Sequence, residues 1–174
     1  FSIAIDVSAC SDSRKGSMPT LVRNGKITED AWTYDVANAS SPEAGSILDM
    51  EDFTKQHAGE LHGVRLDGSV EIEDVIDQVK RAALIAISFA GFADGRGLSL
   101  AVLLRSRYDY RGELRAVGDV LPDWTPYMLR SGFDTFELPD SRAAETAIAC
   151  MQRMTDHYQG SVIQPRPRFR RSSD

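Results

Sequence analysis

Short apolar runs alternate with stretches of helical periodicity along most of the chain, and this alternation is the first constraint on the fold. Runs at residues 46–48, 64–66, 84–89, 114–117 and 135–138 have the length of strands. Between them, Ile72, Val75, Ile76 and Val79 fall at i, i+3, i+4 and i+7, which predicts an amphipathic helix over residues 71–80. Residues 98–104 are apolar nearly all round and predict a helix pressed against the sheet over most of its circumference. Ala144, Ala147, Ile148, Met151 and Met154 form a further helical stripe, with Glu145, Gln152 and Arg153 outside it.

Ahead of these units, Asn24-Gly25 between the apolar flanks of residues 21–27 supplies the two positive-φ positions of a type I′ turn, so a short N-terminal β-hairpin is expected. A Ser-, Ala- and Pro-rich loop follows at residues 37–45. Strands that alternate with helices imply parallel pairing, because each crossover returns the chain to the same strand direction. The expected fold class is therefore α/β, with a mostly parallel sheet of about five βα units. That number is too small to close an eight-stranded barrel, which leaves an open sheet or a partial barrel, with a doubly wound sheet as the competing arrangement.

With 174 residues and a mass of 19.2 kDa, the chain fits one domain that can bury a core without staples. Residues 18–160 are expected to form it. Residues 1–17 read as a disordered or adventitious N-terminus without a signal-peptide pattern, and residues 161–174 as a flexible tail, since Pro165, Arg166, Pro167 and Arg168 cannot bury a core. Cys10 and Cys150 stand far apart, outside any CxxC or Cys/His cluster, so neither a disulfide framework nor a zinc site is suggested and a cytoplasmic location is expected. A formal net charge of −6 and a pI near 5.1 argue against a nucleic-acid protein and a polybasic membrane anchor. The longest apolar stretch, residues 82–90, is far shorter than the ~20 residues of a membrane span.

Candidate chemistry gathers in two strand-to-helix loops. Asp94, Gly95, Arg96 and Gly97 follow the most apolar strand and precede the most apolar helix. In parallel α/β folds such loops sit at the carboxyl ends of the strands, where ligands usually bind. Glycines allow close backbone approach, and Arg96 offers a planar fork for carboxylate, phosphate or sulfur oxyanions. The bland alternative is a tight turn at Gly95, a helix cap at Asp94 or Ser99, and a structural ion pair for Arg96. Gly118 and Asp119 open the second loop, in which Asp123 reads as an N-cap, Pro126 as the third position of the next helix and Gly132 as its left-handed C-cap. Asp119 has no such structural task and is the better functional candidate. His57, His62 and His157 form no metal-binding spacing, Trp32 and Trp124 read as packing residues, and Cys150 as a thiol at the core edge.

The order of motifs from Asp94 to Leu138 carries a resemblance. Asp94-Gly95-Arg96-Gly97, then Leu103-Leu104-Arg105, then Gly112-Glu113-Leu114-Arg115-Ala116-Val117-Gly118-Asp119-Val120, then Gly132-Phe133-Asp134-Thr135-Phe136-Glu137-Leu138 is similar to domain-of-unknown-function family 934. Members of that family are described as probable oxidoreductases of sulfite reduction because they are encoded beside sulfite reductase. The resemblance adds Arg105, Arg115 and Glu137 to the candidate residues, without catalytic roles. Arg105 and Arg115 are expected to neutralise Asp94 or Asp119 in a partly buried network. Where members usually carry Glu, Pro and Lys this chain has Ser88, Ala90 and Gly91, and it has Ser131 in place of a Cys. A redox or metal role at those positions is not implied.

No cofactor is predicted, as the chain has no dinucleotide fingerprint, haem ligand pair or Fe–S cysteine set. The resemblance implies an accessory role in sulfur assimilation, with the sulfite reductase haemoprotein or its electron donor as partner. The competing reading is a small oxyanion-binding domain or enzyme at Asp94–Gly97 and Gly118–Asp123, and a third is a structural scaffold.

Overall fold

The computed structural model describes residues 19–34, 44–55, 61–91, 94–153 and 156–171. The expectations for residues 1–17, for most of the loop at 37–45, and for Cys10, His57 and Met154 lie outside the described residues. The chain opens with the hairpin β1 (Thr20–Arg23) and β2 (Lys26–Thr28), whose turn has Asn24 at φ 51° and Gly25 at φ 69°, as a type I′ turn requires. There follow β3 (Thr33–Tyr34), β4 (Ser46–Asp49), α1 (Met50–Lys55), β5 (Gly63–Asp67), α2 (Ile72–Val79), β6 (Leu84–Phe89), α3 (Arg96–Ser106), β7 (Glu113–Gly118), a 3-10 turn (Pro122–Trp124), α4 (Thr125–Ser131), β8 (Thr135–Leu138), α5 (Ser141–Arg153) and α6 (Arg168–Arg171).

The eight strands of the described residues form one sheet in the order β2-β1-β8-β7-β6-β5-β4-β3. From β3 to β8 every neighbouring pair is parallel, and only the N-terminal hairpin runs antiparallel, with β1 beside β8. Each new parallel strand is added on the same side of the one before. A doubly wound sheet would need the order to reverse at a switch point, and this order has none, so the partial-barrel alternative is the correct one. Successive right-handed crossovers in one direction place α1 to α5 on one face and leave the other as the concave face of a half-barrel.

The alternation of side chains along each strand follows this division. Leu48, Val64, Leu66, Ile85, Ile87, Phe89, Leu114, Ala116 and Phe136 meet Val79 of α2, Leu100 and Leu104 of α3, Met128 of α4 and Ala144 of α5 in one core. Ile47, Leu84, Ala86 and Val117 face the other way and pack with Trp32. Burying each large aliphatic side chain is worth about 1.5–3 kcal/mol, so the helix-side core supplies most of the driving force for folding.

Several local expectations are corrected. Helix α3 buries a single stripe, Gly97, Leu100, Ala101 and Leu104, while Val102 is exposed, because a sheet covered on one face leaves the outer side of each helix to solvent. Asp123 lies within the 3-10 turn, and no side chain caps α4; the Thr125 hydroxyl donates to the Pro122 carbonyl at 2.7 Å. Pro126 falls in the first turn, and Gly132 ends the helix at φ 108°. The C-terminal segment contains α6, and its Val162 N–H donates to the Arg130 carbonyl of α4 at 3.2 Å.

Candidate functional site

The carboxyl ends of β5, β6 and β7 lie side by side, with Asp67 paired to Ser88 and Phe89 to Gly118 in the parallel register. The two candidate loops therefore leave the same edge of the half-barrel. Gly118 turns the chain sharply at φ 90°, and the Asp119 N–H donates to the Phe89 carbonyl at 2.9 Å, which ties the second loop to the end of β6. The Asp119 side chain is exposed and makes no hydrogen bond or ion pair among the described residues.

In the first loop Arg96 is committed to Asp94. Its Nε and Nη2 donate to the two carboxylate oxygens at 2.8 and 2.6 Å, and its backbone N–H donates to Oδ1 at 3.2 Å. The fork that sequence reasoning offered to an oxyanion is thus already filled by a carboxylate. Asp67 adds a further negative charge beside Arg96. Gly97 sits where the chain passes close to its neighbours: a Cβ there would come within 2.8 Å of the Phe89 ring. Gly95 is exposed and meets nothing.

The hydrogen bonds from Arg96 hold the Asp94 carboxyl well below the ordinary range, at about 2. A folded-state value lower than the unfolded one stabilises the fold above the unfolded pKa and ceases to do so as pH falls through the folded one, here from about 4 down to about 2. Both side chains are at the surface, so the consequence for stability is small. The carboxyl resonance of Asp94 should titrate near 2 by NMR and move up towards the ordinary range in Arg96→Ala. An unchanged midpoint in the variant would reject Arg96 as the cause.

Arg105 and Arg115 do not neutralise Asp94 or Asp119, contrary to expectation. Arg105 lies at the opposite end of the strands, where its guanidinium donates to the carbonyls of Gly132, Tyr110 and Gly112 at 3.0, 2.6 and 2.9 Å and pairs with Asp134. Asp134 in turn accepts from the Leu114 N–H at 2.8 Å. This is a structural clamp on the segments that enter β7 and β8.

Arg115 points into the concave face and is 0% exposed. Asp30 grips it from both nitrogens, at 2.6 and 2.9 Å, and Glu113 accepts from it at 3.2 and 3.3 Å. Burial works against the charge of this guanidinium, but the hydrogen bonds and charge of Asp30, with Glu113, more than offset it, so its pKa is raised. Glu113 also pairs with Arg23 and accepts from the Thr135 hydroxyl at 2.8 Å. Next to it, the Tyr34 hydroxyl donates to Glu137 at 2.6 Å, and Glu137 is only 7% exposed. Burial, then the Glu137 charge, raise the Tyr34 pKa.

Sequence reasoning missed Asp30, Glu113, Arg23 and Tyr34 as members of this network. One signal was present. Asp30, Trp32 and Tyr34 alternate along the chain, as residues of an extended segment sharing one face must, and all three turn onto the concave face. Their segment lies over the open half-barrel and lends it the charges and apolar bulk that further strands would supply in a closed one. Among the described residues no group of three or more His, Cys, Asp or Glu side chains is placed to hold a metal ion, and no helix is long and apolar enough to cross a membrane.

Helices α4 and α5 and the C-terminal segment meet at a cleft lined by Leu129, Met151 and Ile163, and on that segment Tyr158, Ile163 and Phe169 are 66%, 56% and 55% exposed. The rings of Tyr158 and Phe169 lie against each other at a tilt of 41°, with centroids 5.8 Å apart. Comparison with curated proteins finds no match. A family model described as "Bacterial protein of unknown function (DUF934)" matches residues 63–169, which takes in both strand-end loops, β5 to β8 and most of the C-terminal segment. That is more than half of the chain, and the chain belongs to this family.

Proposed function

We propose that the protein works by docking a partner, in an accessory role in assimilatory sulfite reduction, with the sulfite reductase haemoprotein or its electron donor as that partner. The observation that carries the docking is the pair of exposed rings of Tyr158 and Phe169, 5.8 Å apart, on the same C-terminal segment as the exposed Ile163 that lines a cleft against α4 and α5, all within the family's matched region. Exposed apolar side chains that gather instead of scattering mark interaction sites. The pathway rests on the resemblance of the motifs between Asp94 and Leu138.

The competing oxyanion reading at the strand-end loops is less well supported. An anion there would have to displace Asp94 from Arg96, and it would meet the carboxylates of Asp67 and Asp119 at the same edge. Like charges at that edge repel an anion.

Deletion of the gene should impair growth on sulfate as sole sulfur source, added sulfide should restore it, and the tagged protein should co-purify with a sulfite reductase component. Normal growth on sulfate would remove the pathway. A protein that co-purifies with no partner in cells grown on sulfate would remove the docking role.

A further inference from the structure

We infer that the cleft between α4, α5 and the C-terminal segment receives an apolar side chain borne on an acidic stretch of a partner protein. This deepens the docking role and rests on it. The cleft has a volume of about 390 Å³ and is lined by Pro126, Leu129, Met151 and Ile163, with Arg130 and His157 among its polar residues. Its wall is built by main-chain contacts: the Val162 N–H reaches the Arg130 carbonyl at 3.2 Å, and Arg130 Nη2 donates to the Gln159 carbonyl at 3.3 Å. Arg130 Nε is buried without a hydrogen-bond partner. A cavity of this size accepts one large apolar side chain with room for its flanking backbone.

The charge around the cleft names the partner's chemistry. Residues 156–174 carry Arg166, Arg168, Arg170 and Arg171 against the two acidic side chains of Asp156 and Asp174, in a chain of formal net charge −6. Arg168 and Arg171 share Asp156, while the Arg170 guanidinium lies over the Phe169 ring, 5.8 Å from its centroid. A local excess of positive charge beside exposed aromatics, set against the sign of the whole chain, attracts an acidic surface and orients it. A second copy of this chain is disfavoured, because a two-fold contact would bring the arginines of both copies together. A membrane is also disfavoured: α6 is only four residues long, too short for an amphipathic anchor, and the apolar feature is a recess that a flat bilayer would leave unfilled.

The test is photo-crosslinking in cells with the full chain, placing p-benzoylphenylalanine at Tyr127 or Tyr158, with Leu61, exposed ahead of β5, as the control position. The expected result is a crosslink from the first two positions and not from the control, mapped by mass spectrometry to a partner peptide rich in Asp or Glu around an apolar residue. Arg170→Glu should weaken that association about tenfold or more, with secondary structure and thermal unfolding little changed, and added salt should weaken it in the parent. Absence of a crosslink, a crosslink to this chain itself, to phospholipid or to a basic or neutral peptide, or an equal yield at Leu61 would overturn the inference. The growth test separates the two levels. Normal growth on sulfate with the mapped acidic crosslink intact would discard the pathway and keep the cleft, whereas a co-purified partner that crosslinks elsewhere would discard the cleft and keep the docking role.

Discussion

Replacing Arg115 by alanine is expected to destabilise the fold by about 3–5 kcal/mol, measured as the change in urea unfolding free energy. The guanidinium is wholly buried, and its removal leaves the Asp30 and Glu113 carboxylates facing each other across a cavity on the concave face. Asp30 is partly exposed and can rehydrate, so most of the cost falls on Glu113, which is 13% exposed. Glu113 keeps Arg23 and Thr135, and that sets the upper limit. The triple variant Arg115→Met, Asp30→Asn, Glu113→Gln should recover much of the loss, because it removes the opposing charges together with their partner. A loss below about 1 kcal/mol in Arg115→Ala would mean that the network behaves as a surface ion pair.

Gly118→Ala should cost about 2–4 kcal/mol, for a reason that has nothing to do with charge. At φ 90° the backbone is in a region that side chains rarely adopt, and a Cβ at this position would stand 2.4 Å from the Phe89 carbonyl oxygen and 3.1 Å from its nitrogen. Those atoms belong to a central strand and cannot swing aside. The carbonyl in question also accepts from the Asp119 N–H, so relieving the clash would break the bond that seats the second loop. Gly95→Ala is the matched control, since a Cβ there meets nothing within 4 Å and its φ is not positive. Differential scanning calorimetry should show a marked fall in Tm for Gly118→Ala and almost none for the control; equal values would show that the turn relaxes without strain.

The strands β6 and β8 were legible to the residue, β8 because Asp134 and Pro139 bound its run and β6 because its large apolar side chains stop at Leu84 and Phe89. The hairpin was legible because Asn-Gly prescribes its own backbone geometry. β3 and α1 were not. β3 pairs through two residues and α1 buries Phe53, too little periodicity to rise above the background of a loop. The site was half legible. Adjacent parallel strands placed the loops of Asp94 and Asp119 at one edge, as their position after β6 and β7 implied, but the partners of each charge could not be read.

Local sequence determined most of the strands and helices and the hairpin turn, which depend on the spacing of neighbours within one element, and the alternation of those elements determined that the sheet is mostly parallel. Tertiary structure decided the rest. Strand order chose the half-barrel over a doubly wound sheet, and it brought Asp30 to Arg115 and Tyr34 to Glu137, pairs 85 and 103 residues apart. A charged side chain takes as partner whatever opposite charge the fold leaves within hydrogen-bond reach, and that is set by the curvature and register of the whole sheet rather than by distance along the chain. Arg96 and Arg115 each have an acid two residues away, but Arg96 is held by Asp94 alone, whereas Arg115, in the middle of a central strand, keeps Glu113 at 3.2 Å and takes its closer partner, Asp30, from across the barrel.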